Sequence, residues 1–131
     1  MVLTTTHHAI SIFSLSNESF ATTLFGDPGE VADLSVAGDY VCVAAPDGAR
    51  VFSRRTGQAT ELIGHAAAVL VVRAFCTEQG VYCATGSKDS FVRVWRIDLP
   101  GCPCVAVSSG FDGAVSSLAV CLEQLTVFAG T

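Results

Sequence analysis

The residues with the clearest potential for chemistry lie in one segment, 64–98, and include the imidazole of His65, the hydroxyl of Thr85 and the carboxylate of Asp89. These are the three groups of a hydrolase triad, in which the imidazole takes the proton of the hydroxyl. Acyl transfer also needs donors for the oxyanion, and no sequence element supplies them. A triad is therefore the less favoured interpretation, and we predict no catalytic residue and no enzymatic activity.

Metal ligands are few and poorly spaced. The histidines His7, His8 and His65 do not form a zinc-ligand spacing, and no two cysteines form a CxxC pair. The segment Cys102-Pro103-Cys104 could hold a soft metal, but it offers only two ligands. We favour reduced thiols that pack as small apolar side chains, and we expect no metal and no other cofactor. The cysteines are Cys42, Cys76, Cys83, Cys102, Cys104 and Cys121.

The composition predicts a folded chain. Of the 131 residues, 50% are hydrophobic and 15% are charged, and the formal net charge is -5. This apolar share is too high for a disordered chain, and the acidic balance disfavours binding to phosphates by counterion release. The longest apolar run, residues 66–72, is far shorter than the roughly 20 residues of a membrane-spanning helix. The N-terminus lacks the features of a signal peptide, so we expect an intracellular protein.

Short β-branched and aromatic runs recur along the chain, separated by turn-forming residues. No stretch keeps the apolar spacing of an amphipathic helix over three turns with a cap at each end. The pattern predicts an all-β architecture of repeated antiparallel meanders. The predicted strands are 2–5, 9–14, 20–24, 31–36, 40–44, 49–53, 59–63, 69–75, 81–85, 91–97, 104–108, 115–120 and 126–129.

Three dipeptides mark an internal repeat: Gly26-Asp27, Gly64-His65 and Gly110-Phe111. They lie 38 and 46 residues apart, which brackets the period of about 40–45 residues of a four-stranded propeller blade. Each dipeptide follows one predicted strand and precedes, by a few residues, a strand that begins at valine. The repeat is therefore supported by content as well as by spacing.

Segment 64–98, GHAAAVLVVRAFCTEQGVYCATGSKDSFVRVWRID, resembles a WD40 repeat. It has the opening Gly-His, a tight Ser-Lys-Asp turn and a Trp on the following strand. The resemblance implies a WD40 β-propeller and a buried hydrogen-bond tetrad of His65, Thr85, Asp89 and Trp95. In such a tetrad the aspartate accepts a hydrogen bond from the imidazole. The imidazole in turn contacts the threonine hydroxyl, and this hydroxyl contacts the indole N–H. A structural role is the favoured interpretation, because a buried polar chain is costly unless every member is paired.

The other repeats depart from this pattern. The turn that contains Asp47 keeps its aspartate, but Phe52 stands near the place of the tryptophan. Asp27 and Phe111 occupy the position of the histidine. We expect Phe13, Phe52 and Trp95 to occupy equivalent third-strand positions and to pack between blades rather than to bind a ligand.

The blade pattern predicts a partial propeller of about three blades. We expect a blade fragment at 1–25, blades at 26–63 and 64–109, and a second fragment at 110–131. Closed propellers use about four to eight blades of four strands, so the thirteen predicted strands would not close the usual ring. We therefore expect a fragment of a larger protein, with open edge strands that pair with missing blades or self-associate.

Several segments in order resemble the second propeller of the transducin beta-like three family, also called the U3 small nucleolar RNA-associated protein thirteen family. They are VLTTTHHAISIF, TLFGDPGEVADLSV, ELIGHAAAVLVV, ATGSKDSFVRVWRID and CVAVSSGFDGAV. The resemblance implies a scaffold of the U3 ribonucleoprotein and small-subunit processome, which acts in nucleolar pre-ribosomal RNA processing. It would bind other proteins, including other WD40 subunits, and RNA at most indirectly. The alternative is a WD40 adaptor in a trafficking, signalling or ubiquitin-transfer complex.

Propellers bind partners through the loops of one face, which here include the turns near the repeat dipeptides. Candidate contacts on this rim are Asp27, Glu30, Lys88 and Asp112. The alternative for each of them is a solvated turn residue. The basic pair Arg54-Arg55 is too small for a nucleic-acid footprint, so we predict weak or no binding to duplex RNA.

Overall fold

A computed structural model describes residues 31–109 and 111–131 in full, and the backbone of three strands within residues 2–25. The part of the chain that the structure describes forms strands and no helix, so no helix there could cross a membrane. The chain divides into two compact units, Met1–Val31 and Ala32–Thr131.

The first unit contains an antiparallel sheet with the strand order β1-β2-β3. Its strands are β1 (Val2–Thr6), β2 (Ala9–Ser14) and β3 (Ser19–Phe25). The pairing of β2 with β3 shifts register twice, between Ile10 and Ser11 and again between Ile12 and Phe13. Phe13, which we expect at a third-strand position of its blade, lies in β2 and pairs with Val2 of β1.

The second unit begins with a four-stranded antiparallel meander in the order β4-β5-β6-β7. The strands are β4 (Asp33–Ala37), β5 (Tyr40–Ala45), β6 (Gly48–Ser53) and β7 (Ala59–Leu62). Two-residue turns join the first three strands, at residues 38–39 and 46–47. Gly38 has a φ of 56°, a left-handed conformation that glycine adopts without steric cost.

A second meander and a hairpin follow. The meander has the order β11-β10-β9-β8, and the hairpin pairs β12 with β13. The strands are β8 (Val69–Cys76), β9 (Val81–Ser87), β10 (Val92–Arg96), β11 (Cys104–Ser108), β12 (Ser117–Cys121) and β13 (Thr126–Gly130). The predicted all-β architecture of antiparallel four-stranded meanders is thereby confirmed.

The two meanders pack face to face through a shared apolar core. The first meander contributes Cys42, Ala44, Ala49, Val51 and Leu62, and the second contributes Val69, Val72, Cys83, Trp95 and Ile97, joined by Cys102 from the loop before β11. This interface places Trp95, the largest side chain of the core, between the two sheets.

A smaller core joins the second meander to the hairpin. It consists of Val71, Ala84, Val92, Val115 and Leu118, with Phe75, Val94, Phe111, Val127 and Ala129 packed against it. One bulge in β8 makes both cores possible, because its register against β9 shifts between Val69 and Val71. The extra residue, Leu70, reverses the alternation of faces, so that Val72 joins the first core and Val71 the second.

The strands β4 and β12 each begin two residues later than predicted, and β12 begins at Ser117 rather than at residue 115. The N–H of Val115 donates to the carbonyl of Ser87 (3.0 Å) instead of to β13. The loop before β12 is therefore tied to the turn after β9. Its valine is fully buried while lying outside the strand.

Candidate functional site

The turn between β9 and β10 holds Asp89 in a fixed position. The N–H of Asp89 donates to Ser87 Oγ (3.1 Å), and that hydroxyl donates to the carbonyl of Ala68 (2.8 Å). Asp89 Oδ1 accepts from the N–H of Phe91 (2.9 Å), and Oδ2 accepts from the N–H of Ala66 (2.9 Å). The carboxylate thus joins its own turn to the loop that carries His65.

The structure brings His65, Thr85, Asp89 and Trp95 into one hydrogen-bonded chain. His65 Nδ1 lies 2.9 Å from Asp89 Oδ2, and His65 Nε2 lies 2.6 Å from Thr85 Oγ1. The indole Nε1–H of Trp95 donates to the same Thr85 oxygen at 2.9 Å. The contacts join a loop, a turn and two neighbouring strands of the second meander.

The donors and acceptors fix the direction of the chain. The Trp95 indole is a donor only, so Thr85 Oγ1 accepts from it and can give its own proton to His65 Nε2. The imidazole then carries its proton on Nδ1 and donates it to Asp89, which as a carboxylate only accepts. With a neutral histidine of this tautomer, each of the four side chains has a hydrogen-bond partner within the chain.

Burial and the two hydrogen-bonding partners set the protonation states. Burial lowers the pKa of His65 below its ordinary value of 6.5, and this outweighs the raising effect of Asp89. For Asp89, burial acts to raise the pKa. The hydrogen bonds from the N–H of Ala66, from His65 and from the N–H of Phe91 more than offset it, and the pKa lies below 3.8. Near neutral pH the pair is a neutral imidazole and a carboxylate.

The connectivity hydroxyl–imidazole–carboxylate is that of a hydrolase triad, but its surroundings are not. Thr85 is 0% exposed, Trp95 is 2% exposed, and the side chain of His65 is 1% exposed. A nucleophile must reach a substrate. The Thr85 hydroxyl is buried and already accepts a hydrogen bond from the indole N–H of Trp95. In this arrangement the chemistry available to these groups is hydrogen bonding within the fold.

The first meander carries an apolar counterpart of the same arrangement. Val43 pairs with Arg50 across β5 and β6, as Thr85 pairs with Arg93 across β9 and β10. Two residues beyond the arginine lie Phe52 in the first meander and Trp95 in the second, so valine and phenylalanine replace threonine and tryptophan. Both apolar residues are buried.

The aspartate of the first meander has a different partner. Asp47 is exposed and forms an ion pair with Arg50 of the same hairpin at 2.6 Å, whereas Asp89 accepts from the N–H of Ala66 in the loop that carries His65.

The proposed rim residues are only partly within the described chain. Lys88 lies exposed in the turn between β9 and β10, and Asp112 lies exposed in the loop before β12. Asp27 and Glu30 lie outside the described residues. In the basic pair, Arg54 Nη1 donates to the carbonyl of Gly38 (3.0 Å), and Arg55 lies 3.8 Å from Asp39.

The cysteines are unpaired, and three of them, Cys42, Cys83 and Cys102, lie in the first core. A hydrogen bond to the thiol of Cys83, together with burial, raises the pKa of Cys42 well above its ordinary value. Burial likewise raises the pKa of Cys102. Within the part of the chain that the structure describes, no group of three His, Cys, Asp or Glu side chains is arranged to hold a metal ion.

Two polar residues of β4 have a structural role that the sequence pattern did not predict. Asp33 Oδ2 accepts from the N–H of Val72 (3.1 Å) and from Arg73 Nη1 (2.8 Å). Ser35 Oγ accepts from the N–H of Ala74 (2.7 Å). These side chains bind backbone donors of β8 and so join the adjacent strands of two sheets. Their partners lie 39 or 40 residues away, which leaves no local signal in the sequence.

Comparison with known proteins identifies the fold. No protein-family model and no curated protein sequence matches the chain. Matches among solved structures number 293 chains. One is U3-55K, with a TM-score of 0.71 and 18% identity over 85% of this chain and 36% of that chain. Another is the RRP9 WD40 repeats, with a TM-score of 0.70 and 18% identity over 85% of this chain and 35% of that chain.

These similarities show that the described sheets are blades of a WD40 β-propeller, as the repeat pattern predicts. The chain spans about a third of the length of the two matched chains. At 18% identity the similarity establishes the fold alone, and the resemblance to the transducin beta-like three family stays a prediction.

Proposed function

We propose that the chain is a non-catalytic WD40 scaffold that binds other proteins within the U3 ribonucleoprotein and small-subunit processome, where it supports pre-ribosomal RNA processing in the nucleolus. The observation that carries the non-catalytic part is the burial of the Thr85 hydroxyl, which is 0% exposed and accepts the indole N–H of Trp95. The residues best suited for hydrolysis are thus used inside the fold.

The proposed assembly rests on two independent similarities. Five segments in order resemble the transducin beta-like three family, and one structural match is named U3-55K. The net charge of -5 favours protein contacts over direct contact with RNA phosphates.

A WD40 adaptor in another complex is the second candidate. The structural similarity supports this candidate equally, because one fold hosts many unrelated functions.

We also propose roles for the residues and segments singled out by the sequence. The chain His65–Thr85–Asp89–Trp95 holds blade 64–109 together and anchors its first loop. Blade 26–63 relies instead on apolar packing, and segments 1–25 and 110–131 belong to neighbouring blades. Lys88 and Asp112, together with Asp27 and Glu30, are proposed contacts of the propeller rim.

Affinity purification of the tagged chain from nucleolar extract tests the proposed function. We expect recovery of U3 RNA and of nucleolar WD40 proteins. Purification of a different complex without U3 RNA would favour the adaptor. A hydrolase activity that depends on Thr85 would contradict the non-catalytic role.

A further inference from the structure

An open groove lies between the β8–β9 turn and the β12–β13 turn, and the first of these turns is at the end of β9 opposite to the turn that carries Lys88. Among the described residues it is lined by Cys76, Thr77, Glu78, Gln79, Leu122, Glu123 and Leu125, and its volume is about 610 Å³. This size lies within the range of about 300–1,000 Å³ that is typical of ligand sites. We call it the leucine groove.

Two leucines are exposed in this groove without an evident role in folding. Leu122 is 52% exposed and Leu125 is 65% exposed. Leu125 also has a φ of 49°, in the left-handed region that glycine and asparagine adopt more readily than leucine does. Neither packing nor backbone conformation favours leucine here, and such a residue at a strained position points to a contact with another molecule.

Two carboxylates flank the leucines. Glu78 and Glu123 are exposed, and neither takes part in the ion pairs found among the described residues. The guanidinium of Arg96 reaches this turn and donates to the carbonyl of Gln79, but its charge is offset by Asp98 at 2.6 Å. The lining of the groove therefore combines two exposed leucines with two exposed carboxylates.

One wall of the groove is held in shape before any partner binds. In the β8–β9 turn, the N–H of Thr77 donates to the carbonyl of Gly80 (2.8 Å), and the N–H of Gln79 donates to Thr77 Oγ1 (3.1 Å). A pre-formed wall lowers the entropy cost of binding a peptide.

From these features we propose that the leucine groove binds a segment of a partner protein in which large apolar side chains are flanked by lysine or arginine. The apolar side chains contact Leu122 and Leu125, and the basic groups pair with Glu78 and Glu123. This inference deepens the proposed scaffold function and rests on it.

Two peptides and one exposed thiol test the proposal on the full chain. The probe is an acetylated peptide of about eight residues that alternates leucine and lysine, and its control alternates leucine and glutamate. Fluorescence anisotropy gives the affinity, and mass spectrometry gives the alkylation rate of Cys76, which is exposed in the groove. We expect the lysine peptide to bind and to slow alkylation of Cys76, and the glutamate peptide to do neither.

Matched variants separate this groove from general charge attraction. Leu125→Asn and Glu123→Lys should each weaken the lysine peptide by about tenfold or more. Glu61→Lys makes the same charge change on β7, outside the groove, and Leu99→Asn removes an exposed leucine from a different loop, so both should bind normally. Equal weakening by Glu123→Lys and Glu61→Lys would overturn the proposal, as would binding that leaves Cys76 unprotected.

The stability of Leu125→Asn distinguishes a binding role from a structural one. Asparagine tolerates the left-handed conformation, so its melting temperature should equal or exceed that of the parent chain. A clear fall would assign Leu125 to the fold and contradict the proposal. Self-association that Leu125→Asn abolishes would also contradict it, because a second copy would then occupy the groove.

The outcome is separable from that of the proposed function. Peptide binding with the expected variant pattern, but no U3 RNA in the purification, would retain the groove and reject the assembly. Recovery of U3 RNA that is unchanged by Leu125→Asn and Glu123→Lys, without peptide binding, would reject the groove alone.

Discussion

Replacing Thr85 with valine removes one hydroxyl from the centre of the hydrogen-bonded chain at almost constant volume. The change leaves the indole N–H of Trp95 and the Nε2 of His65 without the partner they have at 2.9 and 2.6 Å. A buried polar group that loses its partner costs about 1–3 kcal/mol, so Thr85→Val should lower the free energy of unfolding by about 2–6 kcal/mol. Against a typical total of about 5–15 kcal/mol, this loss is large.

A second substitution should recover part of the loss. Val43 and Phe52 occupy the positions of Thr85 and Trp95 in the first meander, so the double variant Thr85→Val/Trp95→Phe gives the second meander the apolar pair of the first. Trp95→Phe alone should cost on the order of 2 kcal/mol, from the cavity and from the loss of the hydrogen bond that the Thr85 hydroxyl accepts. The double variant should be about 1–3 kcal/mol more stable than the sum of the single effects predicts.

Urea unfolding followed by far-ultraviolet circular dichroism measures all four chains. Fluorescence is unsuitable because Trp95 is the single tryptophan of the sequence. Effects of the two substitutions that add within about 0.5 kcal/mol would refute the reasoning, because uncoupled residues do not share a hydrogen bond. An unchanged midpoint for Thr85→Val would refute it as well.

Three further predictions follow from the same contacts. Because the pKa of His65 is lower in the folded chain, the unfolded chain binds more protons below about pH 6.5, and the melting temperature should fall as the pH drops below that value. His65→Gln should flatten this dependence of melting temperature on pH. An unchanged dependence would assign it to other titrating groups. Gly86→Ala should destabilise the chain by about 1–3 kcal/mol in urea unfolding, because a Cβ there would lie 2.5 Å from Val115 Cγ1, and Val115→Ala should relieve part of this cost. Ser35→Ala should cost about 1–2 kcal/mol in the same assay and speed hydrogen exchange at the N–H of Ala74, whereas unchanged exchange would show that Ser35 does not bind it.

Much of the fold was predictable because it is encoded locally. Short β-branched and aromatic runs predicted the strands, and turn-forming residues such as Asp47 predicted the breaks between them. The strand bounds were less accurate where a backbone group binds outside its own sheet, as the N–H of Val115 does with Ser87. A sequence pattern does not reveal such a partner.

The candidate site was predictable only through the resemblance. Spacing alone left a triad and a structural network open for His65, Thr85 and Asp89, and the burial of Thr85 favours the structural network. The bulge at Leu70 and the contact of Ser35 with Ala74 were not predictable, since each depends on chain segments far apart in the sequence.

The central claim is that these polar side chains are used inside the fold and are not available to a substrate. The indole N–H of Trp95 tests it most directly, because the single tryptophan gives one indole signal in a proton–nitrogen spectrum. The structure predicts that this N–H exchanges with deuterium only through global unfolding, with a protection free energy equal to that from urea unfolding. Exchange of this N–H within minutes under native conditions would show that solvent reaches Thr85, and would contradict the claim.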